Sequence, residues 1–228
     1  MATNLRIDWA THEAAKYACE KWHYSKCIPI GKQVRIGVWE NQIFIGVVLF
    51  APGACPELGA PYGLGKYEAC ELVRIALSKH IAPVSRIMSI AFKFLREHCP
   101  DLKLIVSFAD PSEGHHGGVY QATNWVFTGS SSAGVKYWFR GKWTHPKTFR
   151  SEWSNLGHID LSKLQRKSFP GKYRYLMPLN ALIKEKVLQL AKPYPKRAVS
   201  KENVATGFRP VEGGANPTTA LQIQNGNE

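Results

Sequence analysis

This sequence predicts a mixed α+β fold, a central sheet of parallel and antiparallel strands flanked by helices, and three observations carry the prediction. Residues 71–77 are an apolar run of strand length, residues 85–98 repeat apolar side chains at helical spacing, and residues 102–108 are a second apolar run that ends at Asp110. Two strands joined through a helix are expected to be parallel neighbours, because a crossover of that length returns the chain to the same end of the sheet. Upstream, residues 34–39 and 43–50 are apolar runs separated by Glu40, Asn41 and Gln42, the pattern of an antiparallel hairpin.

The remaining elements follow in order. Asp8 or Thr11 can cap a first helix in which Ala14, Ala15, Ala18, Cys19 and Trp22 share one face, and which ends near the run Trp22-His23-Tyr24-Ser25-Lys26. Residues 51–66 are punctuated by proline and glycine and read as a long irregular loop. Ser85 is the expected N-cap of the helix whose stripe is Ile87, Met88, Ile90, Ala91, Phe94 and Leu95, and Pro100 stops that helix. A further helix over 116–124 completes a β-α-β-α succession. Residues 125–128 and 135–140 read as two antiparallel strands joined by the glycine- and serine-rich residues 129–134. A last helix is expected to begin near Leu179. The 228 residues suffice for one substantial core, assigned to residues 1–190; residues 191–228 lose apolar periodicity and are expected to form a flexible tail.

Charge narrows the partners. The net charge is +13, and residues 136–174 hold ten basic against two acidic residues, an excess of eight. Lys136, Arg140, Lys142, Lys147, Arg150, Arg166 and Lys167 are interleaved there with Trp138, Phe139, Trp143, Phe149, Trp153 and Phe169. Basic residues mixed with aromatics suit phosphate contact with base stacking, so this segment is the expected nucleic-acid face. An ordinary basic surface over a satellite aromatic core explains the same pattern. Five cysteines with no C-x-x-C pair, and an N-terminus with no apolar leader, lead to the expectation of a reduced, cytoplasmic protein. No apolar run approaches the roughly 20 residues of a membrane span.

Four groups of residues could carry chemistry. Asp110, at the end of a central strand, lies where ligands bind an open sheet and could accept a proton, although Asp-Pro also makes a local turn with Ser112. His23 and Tyr24 could relay a proton, stack on a base or donate to an oxyanion, or simply end a helix. Tyr120 could donate a proton or pack against Val106 or Phe108. His115 and His116 are candidate metal ligands that would need a third partner among His23, Asp110 and Glu113.

The strand-helix-strand-helix order of residues 71–124 resembles the acyltransferase core of the GNAT superfamily. That resemblance implies a donor whose diphosphate sits at the N-terminus of the helix following the first parallel strand. The expected glycine-rich loop is replaced by Ser78-Lys79-His80-Ile81-Ala82-Pro83-Val84-Ser85, so Lys79, Ser85 and Arg86 become the candidate donor-binding residues. Acyl-CoA and a glycine-derived or aminoacyl donor both stay open.

Over about residues 5–190, Trp22-His23-Tyr24-Ser25-Lys26, the Asp110-Pro111 turn, the His115-His116-Gly117-Gly118 run and Tyr120 resemble the Mom family of bacteriophage DNA-modification proteins. The resemblance implies a GNAT-type fold, double-stranded DNA as partner, the host cytoplasm as location, and conversion of adenine to N6-carbamoylmethyladenine, which shields phage DNA from restriction. It places His23, Tyr24, Asp110 and Tyr120 in the site and raises iron as a cofactor, for which the sequence offers no ligand spacing. An acyl-CoA N-acetyltransferase, an adenine methyltransferase and a non-catalytic DNA-binding protein are the rival readings.

Overall fold

The computed structural model describes residues 3–53, 57–146, 149 and 159–196. Seven strands, β1 (Leu5–Trp9), β2 (Val34–Glu40), β3 (Ile43–Ala51), β4 (Ala69–Leu77), β5 (Leu104–Ala109), β6 (Val126–Ser130) and β10 (Tyr173–Pro178), build one sheet in the order β1-β2-β3-β4-β5-β10-β6. A second sheet holds β7 (Gly134–Phe139), β8 (Lys142–Thr144) and β9 (Arg166–Phe169) in the order β8-β7-β9. The helices that lie wholly among the described residues are α1 (His12–Trp22), α2 (Val84–His98), α3 (Gly118–Gln121) and α4 (Ala181–Leu188). The mixed sheet is as expected: β4 and β5 are parallel and the other pairs in it antiparallel.

The apolar stripe of α2 explains the main core. Ile87, Met88, Ala91 and Leu95 bury against Ile36, Val48, Phe50, Leu72 and Ile105 on one face of the sheet. On the other face α1 buries Ala15, Ala18 and Cys19 over Val47, Leu49 and Ala76, while α4 buries Ile183 and Val187 over Leu104, Val106 and Leu176. The small residues of α1 let its backbone approach the strands closely.

Several elements differ from the sequence expectation. Thr11, not Asp8, caps α1, accepting from the Ala14 N–H at 3.1 Å. Asp8 instead lies in β1, a strand whose short alternation of apolar and charged residues resembles a helix entry and is recognisable only through its pairing with β2. Ser85 is not an N-cap: Pro83 holds that position, without a side-chain cap, and Ser85 is the second helical residue. The helix expected from 116 starts at 118, because Gly117 takes φ +90° and any Cβ there would lie 2.4 Å from the Tyr175 ring. Residues 125–128 and 135–140 do not pair with each other: β6 joins β10 and β7 joins β8 and β9. The connection 131–133 therefore carries the chain from one sheet to the other, and Ser131 and Lys172 tie the two crossing points through N–H to carbonyl and N–H to hydroxyl bonds of 2.9 and 3.0 Å.

Residues 191–196, expected to begin the tail, lie along β6: Lys192 N–H donates to the Phe127 carbonyl at 2.8 Å and the Tyr194 hydroxyl to the Trp125 carbonyl at 2.7 Å. The expected tail beyond 196, together with Lys147 and Arg150, lies outside the described residues.

Candidate active site at the splayed strands

The parallel pairing of β4 with β5 spans only Ala69–Leu104, Cys70–Ile105 and Glu71–Val106, after which the strands part. Ser107 bridges the opening. Its buried hydroxyl donates to the Leu72 carbonyl at 2.8 Å and lies 2.8 Å from the Tyr120 hydroxyl. A carbonyl only accepts, so the single Ser107 proton goes to Leu72 and the Tyr120 phenol donates to Ser107. Burial pushes the Tyr120 phenol up to about 12, which keeps it protonated.

His23 and Tyr24 arrive at the same opening from the end of α1. His23 is 8% exposed, and its Nδ1 accepts from the Ser25 backbone N–H at 3.1 Å, which leaves the ring proton on Nε2. Burial first, then the nearby charges of Arg74, His115 and Lys26, pushes His23 down to about 4. Tyr24 is exposed, tilted against the His23 ring at 4.3 Å and edge-on to His115 at 4.9 Å. Burial of its hydroxyl end raises the phenol; Arg74 opposes the rise, and Glu113 and Asp110 add to it.

Asp110 divides its oxygens between two tasks. Oδ1 accepts from the Ser112 N–H at 3.0 Å, making the local turn, while Oδ2 lies 3.5 Å from Lys172 Nζ. Burial opposes ionisation of this carboxyl, but the Ser112 bonds and Lys172 outweigh it and hold it below the usual carboxylate range. His23, Tyr24, Asp110 and Tyr120 are thus brought to one opening, with the phenol of Tyr24 also acting on that of Tyr120.

His115 and His116 have different contacts. His115 lies against Tyr24, whereas the His116 carbonyl accepts from the Tyr175 hydroxyl at 2.6 Å. Among the described residues no group of three His, Cys, Asp or Glu could hold a metal ion, so the side chains of the opening do not fit an iron centre.

Beyond the opening a cavity of about 550 Å³ is lined by β4 (Ile75, Leu77), the start of α2 (Val84, Ser85) and α3 (Gly118, Val119, Ala122), with Trp22 and His80. Of the three expected donor-binding residues only Ser85 lines it. Lys79 is exposed, and Arg86 reaches out to the Thr3 hydroxyl at 3.4 Å.

On the small sheet, Lys136 and Lys167 face each other directly across β7 and β9, and Trp138 faces Trp143 across β7 and β8. The lysine ammoniums stand over the Phe169 ring at 4.3 and 5.7 Å, and Trp138 is exposed. Arg166, next to Lys167 in β9, pairs with Tyr137, and Arg140 (φ +49°) and Lys142 flank the turn between β7 and β8, all three exposed. The opposite face packs Tyr137 and Phe139 onto the buried Phe149. The satellite aromatic core expected of this segment is thus present on one face, and its exposed basic and aromatic residues lie on the other.

The sequence profile of the Mom protein family matches residues 4–196. The chain belongs to the Mom protein family. A curated relative, the methylcarbamoylase mom of Escherichia phage Mu, is 27% identical over 203 residues, 84% of this chain and 84% of the relative. Solved structures with a similar fold include the spermidine/spermine N-acetyltransferase SpeG of Vibrio cholerae (TM-score 0.44, 11% identity, 79% of this chain and 96% of that one). The N-acyl amino acid synthase FeeM from uncultured soil microbes is comparable (TM-score 0.44, 11% identity, 78% and 90%). Among the described residues no helix is long and apolar enough to cross a membrane.

Two charged residues of this Mom-family site escaped the sequence reading. Arg74 sits in β4 at a bulge, where Leu49 pairs with Arg74 and Phe50 with Leu72, so that Val73 is extra. One terminal N–H of Arg74 donates to the Val73 carbonyl at 2.7 Å, and its Nε is buried without a hydrogen-bond partner. An arginine inside the apolar run Glu71–Leu77 was the available signal, since an unpaired guanidinium is costly in a strand core. Lys172 had no such signal; only the fold brings it to Asp110.

The depressed His23 value carries a stability prediction. Its folded value of about 4 lies below the ordinary histidine range near 6.5, so the unfolded chain takes up the proton first as pH falls. Stability is expected to fall between pH 6.5 and 4 by up to about 3 kcal/mol from this group. Asp110 titrates below that window. Thermal melts across it should show a steeper slope for the wild type than for His23→Gln; equal slopes would refute the assignment.

Proposed function

We propose that this chain is a DNA-modifying transferase that converts adenine to N6-carbamoylmethyladenine in double-stranded DNA, in the host cytoplasm. The observation that carries the reading is the convergence of His23, Tyr24, Asp110 and Tyr120 on the β4–β5 opening of a Mom-family chain. The chemistry asks for such a set. The N6 lone pair is delocalised into the ring and the amine is paired inside duplex DNA, so the base must leave the stack and be held by its polar edge.

The exposed Tyr24 ring offers a stacking surface, and the ionised Asp110 offers an acceptor for an N6–H. As nitrogen bonds to the carbamoylmethyl carbon, the bond from that carbon to its carrier breaks with its electron pair, and the N6 proton passes to the Asp110 carboxylate. Neutral His23, with its proton on Nε2, is a hydrogen-bond donor, the Tyr120 phenol, its proton given to Ser107, offers an acceptor oxygen, and Arg74 supplies positive charge for the departing group or the amide oxygen.

Mass spectrometry of nucleosides from cells expressing the chain tests the reaction. Deoxyadenosine carrying one carbamoylmethyl group in place of a hydrogen is expected. An acetyl or methyl increment, or unmodified adenine, overturns it.

The small sheet is the proposed DNA face. Two lysines directly opposed on a strand pair repel each other, and a phosphate between them relieves the repulsion. Lys136→Ala with Lys167→Ala is expected to lower the slope of log K against log salt by roughly 0.9 per lost phosphate contact, across unrelated sequences, without lowering the melting temperature. An unchanged salt slope would place the DNA elsewhere.

A further inference from the structure

The anion position that an acyl-CoA enzyme of this fold keeps for its donor is already filled in this chain by one of its own side chains. We propose that Glu40 closes the β4–α2 loop to a diphosphate, so that the transferred group arrives on a donor held in the neighbouring apolar cavity and not on a CoA anchored at this loop. The inference rests on the reading of the site as a group transferase.

Glu40 is the last residue of β2 and is 6% exposed. Its two carboxylate oxygens accept from two consecutive backbone amides of the loop, Ile81 N–H at 2.9 Å and Ala82 N–H at 2.7 Å. Consecutive amides pointing at one pair of oxygens are how a loop before a helix holds a phosphate; here the oxygens belong to the protein. The Ile81 and Ala82 amides hold the Glu40 carboxyl below its usual range against the opposing effect of burial, so it is charged at neutral pH.

Other groups of the loop and the first turn of α2 are also committed. Pro83 has no N–H, and the Arg86 and Ile87 amides return to its carbonyl at 3.0 and 3.2 Å. No glycine lies between Ser78 and Ser85, so the backbone cannot turn closely around a diphosphate. His80 is committed as well: its Nδ1 donates to the Ser78 carbonyl at 2.7 Å, leaving Nε2 as the ring's remaining polar atom. A diphosphate brought to this loop would meet a fixed carboxylate of like charge, whereas the adjacent cavity presents Trp22, Ile75, Leu77, Val84 and Val119. Such a lining suits a donor whose anchoring part is uncharged, with His80 and Ser85 as its polar contacts.

Binding of CoA and of pantetheine, which lacks the nucleotide and diphosphate, to the full-length protein separates the possibilities. Calorimetry and the amide signals of Ile81 and Ala82 are the readouts. In the wild type CoA is expected to bind no tighter than pantetheine, or neither to bind, with both amide signals unmoved. Glu40→Gln removes the charge while keeping an acceptor, and is expected to favour CoA over pantetheine by about tenfold. Wild-type binding of CoA tenfold or more tighter than pantetheine, with both amide signals displaced, overturns the proposal, and this comparison decides it even where Glu40→Gln does not fold. Absence of modified adenine alongside the expected binding pattern sinks the proposed reaction and leaves the closed loop standing.

Discussion

Asp110→Asn is expected to give a folded, DNA-binding protein whose adenine modification falls by about 10²-fold or more, the scale of a positioned general base. The turn oxygen explains why folding survives: an asparagine carbonyl can still accept the Ser112 N–H that Oδ1 takes now. What it cannot do is carry the charge that faces Lys172 or receive a proton from N6. The side chain is 14% exposed, enough to be reached from the opening. Nucleoside mass spectrometry and a thermal melt on the same preparation decide the matter. Near-normal modified adenine from a folded Asp110→Asn protein removes Asp110 from the chemistry; loss of both the modification and the cooperative melt assigns it to the turn alone.

Arg74→Lys is the second large effect expected, again about 10²-fold in modification. Lysine keeps a positive charge but lacks the planar fork that lets one N–H hold the Val73 carbonyl while Nε remains for another partner. The companion substitution Arg74→Gln has a readout outside activity. Its cation helps to depress His23, after burial, so the imidazole titration followed by NMR should move up from about 4 when the charge is removed. An unmoved titration with normal modification would mean that Arg74 does not face the site.

The legible part of this protein is the part written in local periodicity. The β2–β3 hairpin, β4, the α2 stripe and β5 were readable because their apolar repeats are strong and their breaks, at Asn41-Gln42 and Pro100, are local. β10 was hidden inside a segment whose lysines and aromatics read as surface, and its place between β5 and β6 depends on partners far along the chain. The residues of the opening were nominated by resemblance; periodicity could say only that Asp110 ends a strand. Glu40, Lys172 and Arg74 owe their surroundings to long-range contacts with Ile81 and Ala82, with Asp110, and with the end of α1, and no spacing rule links such positions.

The position of β10 also sets the order in which this protein can become competent. Residues 173–178 are among the last to be synthesised in the described chain, yet they pair with Ala109 and its neighbours on one side and with β6 on the other. Until they emerge from the ribosome, the edge of β5 that leads into Asp110 has no partner on that side, and the Tyr175 hydroxyl is not there to hold the His116 carbonyl. Closing a contact across so long a stretch is a slow, late event in folding. A nascent or prematurely terminated chain ending before Tyr173 therefore carries nearly all of the opening's residues but not the strand that sets them, so the opening takes its shape only once residues 173–178 have paired.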